Sequence, residues 1–159
     1  MTKQVEKKVF VGTPFPDGMM DAQKSFAESN KLVENNDTFK KFLEDNNLEN
    51  KRSAMIVFGP ENFMYWYGVI TDGSLEVPKG LIKYELPKAE VAEEIIENSN
   101  PVFFDLPLNS VLPEFIKKIT ESGVQVYENI GDSPVPYIVE DMDLDNKKLT
   151  QMLYVKASE

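Results

Sequence analysis

Tyr65, Trp66 and Tyr67 follow one another inside FMYWYGVITDGSLEVPKG, residues 63–80, in a chain with neither histidine nor cysteine. Side chains alternate along a strand, so Trp66 must face one way and the two tyrosines the other. Ring faces of this kind suit an apolar or cationic small molecule, and the competing reading is that they are simply core. Without cysteine there is no thiolate nucleophile, no disulfide and no cysteine-held zinc. Without histidine, the Ser-His-Asp and Cys-His arrangements are gone, and with them the commonest metal ligand. Chemistry here has to run on carboxylates, tyrosines, lysines or hydroxyls. The acidic stretch EDMDLDN, residues 140–146, has something of a calcium loop's spacing but lacks the central glycine and terminal glutamate, and reads as a polar turn. Gly12 and Gly18 build no phosphate loop. Neither a metal nor a cofactor is expected.

A length of 159 residues with 42% apolar content fits one soluble domain spanning 1–159. The net charge of -10 and a single arginine, Arg52, argue against a nucleic-acid partner, because phosphate binding draws on clustered basic side chains. No apolar run is long enough for a signal peptide or a spanning helix, so a cytoplasmic protein with no membrane partner is expected.

The elements that must carry these residues alternate in type. KVFVGT, residues 8–13, reads as a strand and PFPDG as a loop. Helical spacing dominates residues 19–47, with a break near 35–37 and Asp37 as the cap that restarts the helix. Residues 53–58 and 63–71 read as strands joined by a GPEN turn. Strand signals lie on both sides of Pro87, although residues 89–97 alone fit a helix too. Ser110 is the expected cap of a helix with Leu112, Phe115, Ile116 and Ile119 on one face, Pro113 in its first turn and Gly123 at its end. Residues 136–142 and 148–155 close the chain as strands. The order strand, helix, strand, strand occurs twice. It predicts an α+β fold of two βαββ repeats sharing one antiparallel sheet, with two helices on one face and a ligand cleft on the other.

Four stretches, KVFVG at 8–12, YWYG at 65–68, VPKG at 77–80 and PYIVEDMD with LTQMLYV at 136–155, resemble the GyrI-like small-molecule-binding domain family. That family includes gyrase-inhibitory proteins and the effector-binding halves of multidrug-responsive transcription activators, and its fold is two βαββ repeats. The resemblance implies a glutamate at the floor of an aromatic-walled pocket for lipophilic cations, and the matching position is Glu140. On its strand Glu140 shares a face with Ile138 and Met142, a costly place for an unpaired carboxylate; pointing to water at a sheet edge, or pairing with a lysine, is the alternative. Many relatives carry an acidic residue where this chain has Gln151, which weakens the case for dications.

Three functions compete. The first is a stand-alone module binding a lipophilic, cationic or neutral ligand through Tyr65, Trp66, Tyr67, Glu140, Met152 and Tyr154. The second, implied by stand-alone relatives, is a cofactor-independent hydrolase of strained-ring molecules with Glu140 as the candidate catalytic base. The third is a gyrase-inhibitor-like protein-interaction module, for which the acidic surface is the sole support. No helix-turn-helix region accompanies the domain.

Overall fold

The computed structural model describes residues 2–158. Eight strands form one fully antiparallel sheet: β1 (Thr2–Val5), β2 (Lys8–Pro16), β3 (Lys51–Phe58), β4 (Phe63–Thr71), β5 (Ile82–Leu86), β6 (Ala89–Ile96), β7 (Tyr137–Asp143) and β8 (Lys148–Ala157). Their order is β1-β6-β8-β7-β3-β4-β2-β5. Exchanging β1–β4 for β5–β8 reproduces that order read backwards, so the halves are related by a pseudo-twofold between β7 and β3. Each half is a βαββ unit preceded by a strand that pairs with the other half. Helices α1 (Ala27–Glu34) and α2 (Asp37–Asp45) belong to the first half and α3 (Leu108–Glu121) to the second.

The connections curl the sheet. β5 lies at one edge and β6 next to the other, yet only Pro87 and Lys88 join them; Glu6 and Lys7 alone join β1 to β2. A two-residue link cannot span a flat eight-stranded sheet, since strands stand about 4.8 Å apart. The sheet therefore rolls into a half-barrel whose ends approach. Gly12 and Gly68 face each other across β2 and β4, where a Cβ on either would run into the backbone carbonyl of Tyr67 or Val11. Such close approach needs glycine.

Alternation then sorts the apolar side chains into two layers. Inside the curl, Phe10, Met55, Trp66, Leu86, Val91, Val139, Met152 and Tyr154 pack together. On the outer face, Val11, Tyr65, Tyr67, Val69 and Met142 pack under α1 and α2, while Ile138, Leu153 and Ala92 pack under Phe115 and Ile119 of α3.

Several local expectations change. β2 continues through the PFP stretch read as loop: beyond Gly12 it has left β5 and pairs with β4 alone, and prolines are tolerated on a free edge. Met19–Phe26 is not helical in the way the spacing suggested; a 3-10 turn covers Asp17–Met19 and α1 starts at Ala27. The helix breaks where expected, but the cap is Asn36, whose side chain accepts the Phe39 N–H at 3.0 Å, and Asp37 is the first helical residue. α3 begins at Leu108, with Pro107 in the cap position, so Ser110 is interior and Pro113 falls in the second turn. Residues 89–96 are strand, and β1 is an edge strand the polar N-terminal sequence did not suggest. Gly123 ends α3 at φ +99°. Among the described residues no helix is long and apolar enough to cross a membrane.

Candidate functional site

The outer face of the sheet presents one polar row beneath the helices. Cross-strand partners share a face, so the register aligns Glu94 (β6), Gln151 (β8), Glu140 (β7), Ala54 (β3), Tyr67 (β4) and Thr13 (β2). Glu140 and Gln151 are framed by aliphatic pairs: Ile138 opposite Leu153, and Met142 opposite Leu149. Ile138 belongs to the layer under α3 and Met142 to the layer under α1 and α2. Glu140 therefore lies in the seam where the two halves meet.

Glu140 is 5% exposed. Gln151 Nε2 donates to Oε2 at 3.0 Å, and no basic side chain pairs with Glu140 among the described residues. An ionised carboxylate accepts only, so in that state the amide nitrogen of Gln151 faces it. Burial pushes the Glu140 carboxyl up to about 7, and the Gln151 bond only partly opposes this. Such a group can take or release a proton at neutral pH, and when ionised is a charge without a counterion.

Helix α1 covers the neighbouring part of the row through a polar clasp. Asn30 and Glu34, one turn apart, point to the sheet, and Tyr65 and Tyr67, two apart on β4, point to the helix. The spacings match, about 6 Å of helix rise against about 6.8 Å of strand. Tyr65 donates to Asn30 Oδ1 at 2.8 Å and Tyr67 to Glu34 Oε2 at 2.6 Å. Asn30 in turn donates to the Phe104 carbonyl at 2.9 Å and to Asp105 Oδ1 at 3.0 Å. Arg52 grips Glu34 with two bonds, Nε at 2.7 Å and Nη2 at 3.0 Å, and lies over the Phe39 ring. Val33 is the one apolar side chain α1 buries, beside Ser29 and Asn30. Phe26 stacks on Tyr65 at 4.2 Å between ring centroids. Burial and the charge of Glu140 both raise the Tyr65 hydroxyl well above the usual phenol range.

Beside this clasp lies an open cavity of about 510 Å³, lined by Asn30, Glu34, Arg52, Tyr67, Val102 and Asp105 among others. Its rim carries Glu28, Glu34 and Asp105 against Lys31 and Arg52, a net negative mouth. From Tyr67 the row runs past Ala54, the smallest side chain in it, to Glu140 two strands away, roughly 10 Å.

The six residues read from the sequence therefore divide between two faces. Tyr65, Tyr67 and Glu140 stand on the helix side; Trp66, Met152 and Tyr154 stand inside the curl. There Phe10, Trp66, Tyr84, Tyr137 and Tyr154 form a chain of edge-to-face rings with centroids 5.5–6.1 Å apart. Tyr84 donates to the Tyr137 hydroxyl at 3.0 Å. These rings pack against one another, with Tyr84 and Tyr137 partly buried. Glu140 is neither at a sheet edge nor paired with a lysine: β7 runs between β8 and β3. Asn30, Glu34 and Glu94 are no part of the site read from the sequence, and Arg52 stands out there only as the single arginine. The i, i+4 polar pair Asn30 and Glu34 around Val33 was the available signal. The polar turn read over 140–146 is confined to residues 144–147, because Glu140 to Asp143 belong to β7; Asp143 Oδ1 accepts the Asp145 and Asn146 N–H groups.

No family model and no curated protein matches the chain. Solved structures do. SAV2435 bound to tetraphenylphosphonium superposes with a TM-score of 0.58 at 12% identity, over 99% of this chain and 93% of that one. A candidate bacterial transcription regulation protein from Staphylococcus aureus MU50 gives 0.54 at 9%, over 99% and 97%. The integron cassette protein VCH_CASS2 from the mobile metagenome of Vibrio cholerae gives 0.50 at 9%, over 98% and 95%. At such identities the likeness shows the fold alone, a curled antiparallel α+β sheet with helices on its outer face.

Proposed function

We propose that the chain binds a lipophilic monocation in the seam between its two halves, over Glu140, reached by the groove beside Tyr67. The observation that carries this reading is a buried carboxylate with one neutral hydrogen-bond donor and no cation among the described residues. Burying such a charge is expensive, and natural folds keep one chiefly where a partner arrives. Tyr67 shares the cross-strand row with Glu140, Phe26 and Tyr65 stack in the same outer layer, and the negative rim of the groove favours positive ligands. The resemblance to GyrI-like binding domains and the tetraphenylphosphonium bound to SAV2435 support the same class of ligand. Trp66, Met152 and Tyr154 then serve as the rigid inner layer behind the site.

Tetraphenylphosphonium and tetraphenylborate, nearly equal in size and opposite in charge, test this by equilibrium dialysis. Saturable uptake of the cation with little uptake of the anion is expected. Equal uptake of both would remove any role for the carboxylate.

A further inference from the structure

Glu140 and Gln151 together leave a second feature unused. Glu140 Oε1 accepts no bond from any described group, and neither does Gln151 Oε1, although Gln151 is 3% exposed. Glu140 keeps 5% and Gln151 3% of its surface accessible. The two residues are direct cross-strand partners, and with Nε2 engaged by Glu140 Oε2 the Gln151 carbonyl oxygen is left as a separate acceptor. The two adjacent strands thus offer two acceptors without a described donor, one charged and one neutral, while the Gln151 amide nitrogen is engaged with Glu140 Oε2. Glu94 follows Gln151 in the same row and adds negative charge on its far side.

Resting on the function just proposed, we infer that the preferred occupant is a lipophilic ammonium ion with at least two N–H bonds, a protonated primary or secondary amine, held jointly by Glu140 Oε1 and Gln151 Oε1. A quaternary cation would satisfy the charge but leave the Gln151 carbonyl without a donor as it is covered, and a buried acceptor left unpaired is costly. An N–H cation loses more hydration on entry, and the two bonds restore it; a third N–H can remain with water at the accessible side. Ile138, Met142, Leu149 and Leu153 around the pair take the apolar body. Gln151 is on this reading a specificity-determining contact, where an acidic residue would instead favour a second positive charge.

The test compares 2-(1-naphthyl)ethylammonium with its N,N,N-trimethyl analogue by calorimetry on the full chain. The primary ammonium should bind at least about tenfold more tightly, as expected when a site built to pair N–H groups meets an analogue lacking them. Gln151→Met should weaken the primary ammonium and leave the trimethyl compound nearly unchanged, erasing the preference. Equal affinity of the two ligands for the unmodified protein, or a preference that survives in Gln151→Met, overturns the inference. The first comparison needs no variant and stands even if Gln151→Met fails to fold. If tetraphenylphosphonium binds in a Glu140-dependent way while the primary ammonium does not, the binding function stands and this inference falls; if no cation binds, both fall.

Discussion

Replacing Glu140 by glutamine should make the protein more stable at neutral and alkaline pH, and the size of the effect follows from the buried carboxyl. In the fold its pKa is pushed from 4.5 to about 7 by burial, with a single amide N–H opposing. A group raised in this way contributes stability that is fully present below about pH 4.5 and lost as the pH rises through about 7. At about 1.4 kcal/mol per pH unit between the two values, the loss is about 3 kcal/mol. Glutamine has nearly the same shape and never ionises, so it should escape the loss. Urea unfolding of both proteins from about pH 4.5 to about pH 8 measures it. The two should be nearly equally stable at the acid end, with Glu140→Gln ahead by about 3 kcal/mol at the alkaline end. Asp141, also pushed up by burial, sits on the opposite face and is present in both proteins, so it cancels in the difference. A difference that stays constant across this range would show that Glu140 is solvated or paired in the fold, and the reasoning about the seam would fail with it.

Trp66→Ala removes a ring from the inner layer and should cost about 3 to 5 kcal/mol in a urea or thermal melt, while cation affinity per folded molecule stays unchanged. Tyr65→Phe strips Asn30 Oδ1 of its donor and should cost about 1 to 3 kcal/mol, with faster amide exchange over residues 27–34 as α1 loosens. Duplex DNA should give no gel shift at physiological salt, because 27 acidic against 17 basic side chains leave too little positive charge to displace counterions.

The sequence made the outer layer of the fold legible wherever one strand or helix carried its own punctuation. β4 runs from Phe63 to Thr71, and the GPEN turn before it lies where the hairpin signal put it. The shared face of Ile138, Glu140 and Met142 followed from alternation alone. Which face that would be did not. Helix and hollow compete for each side of a strand, and only the docking of α1 and α3 on one side assigns Tyr65, Tyr67 and Glu140 to the same layer and sends Trp66 away from them. Pro14 and Pro16 argue against a strand unless its outer edge is free, a fact fixed by where β5 begins, at Ile82 opposite Gly12. Glu94 escaped notice because a strand that also reads as a helix gives no phase. In the fold a bulge opposite Glu90 and Val91 sets its register on β8 and brings Glu94 into the row with Gln151. The clasp of Asn30, Glu34, Tyr65, Tyr67 and Arg52 joins residues up to 37 positions apart, and no local pattern contains it.

The proposed binding function requires that the seam carboxylate receive a cation. Calorimetric titration of tetraphenylphosphonium into the unmodified protein and into Glu140→Gln, both at about pH 8 where Glu140 is ionised, measures this most directly. Saturable binding by the first protein and its loss in the second is the expected result. Binding of equal strength in both, or none in the unmodified protein, would contradict the account.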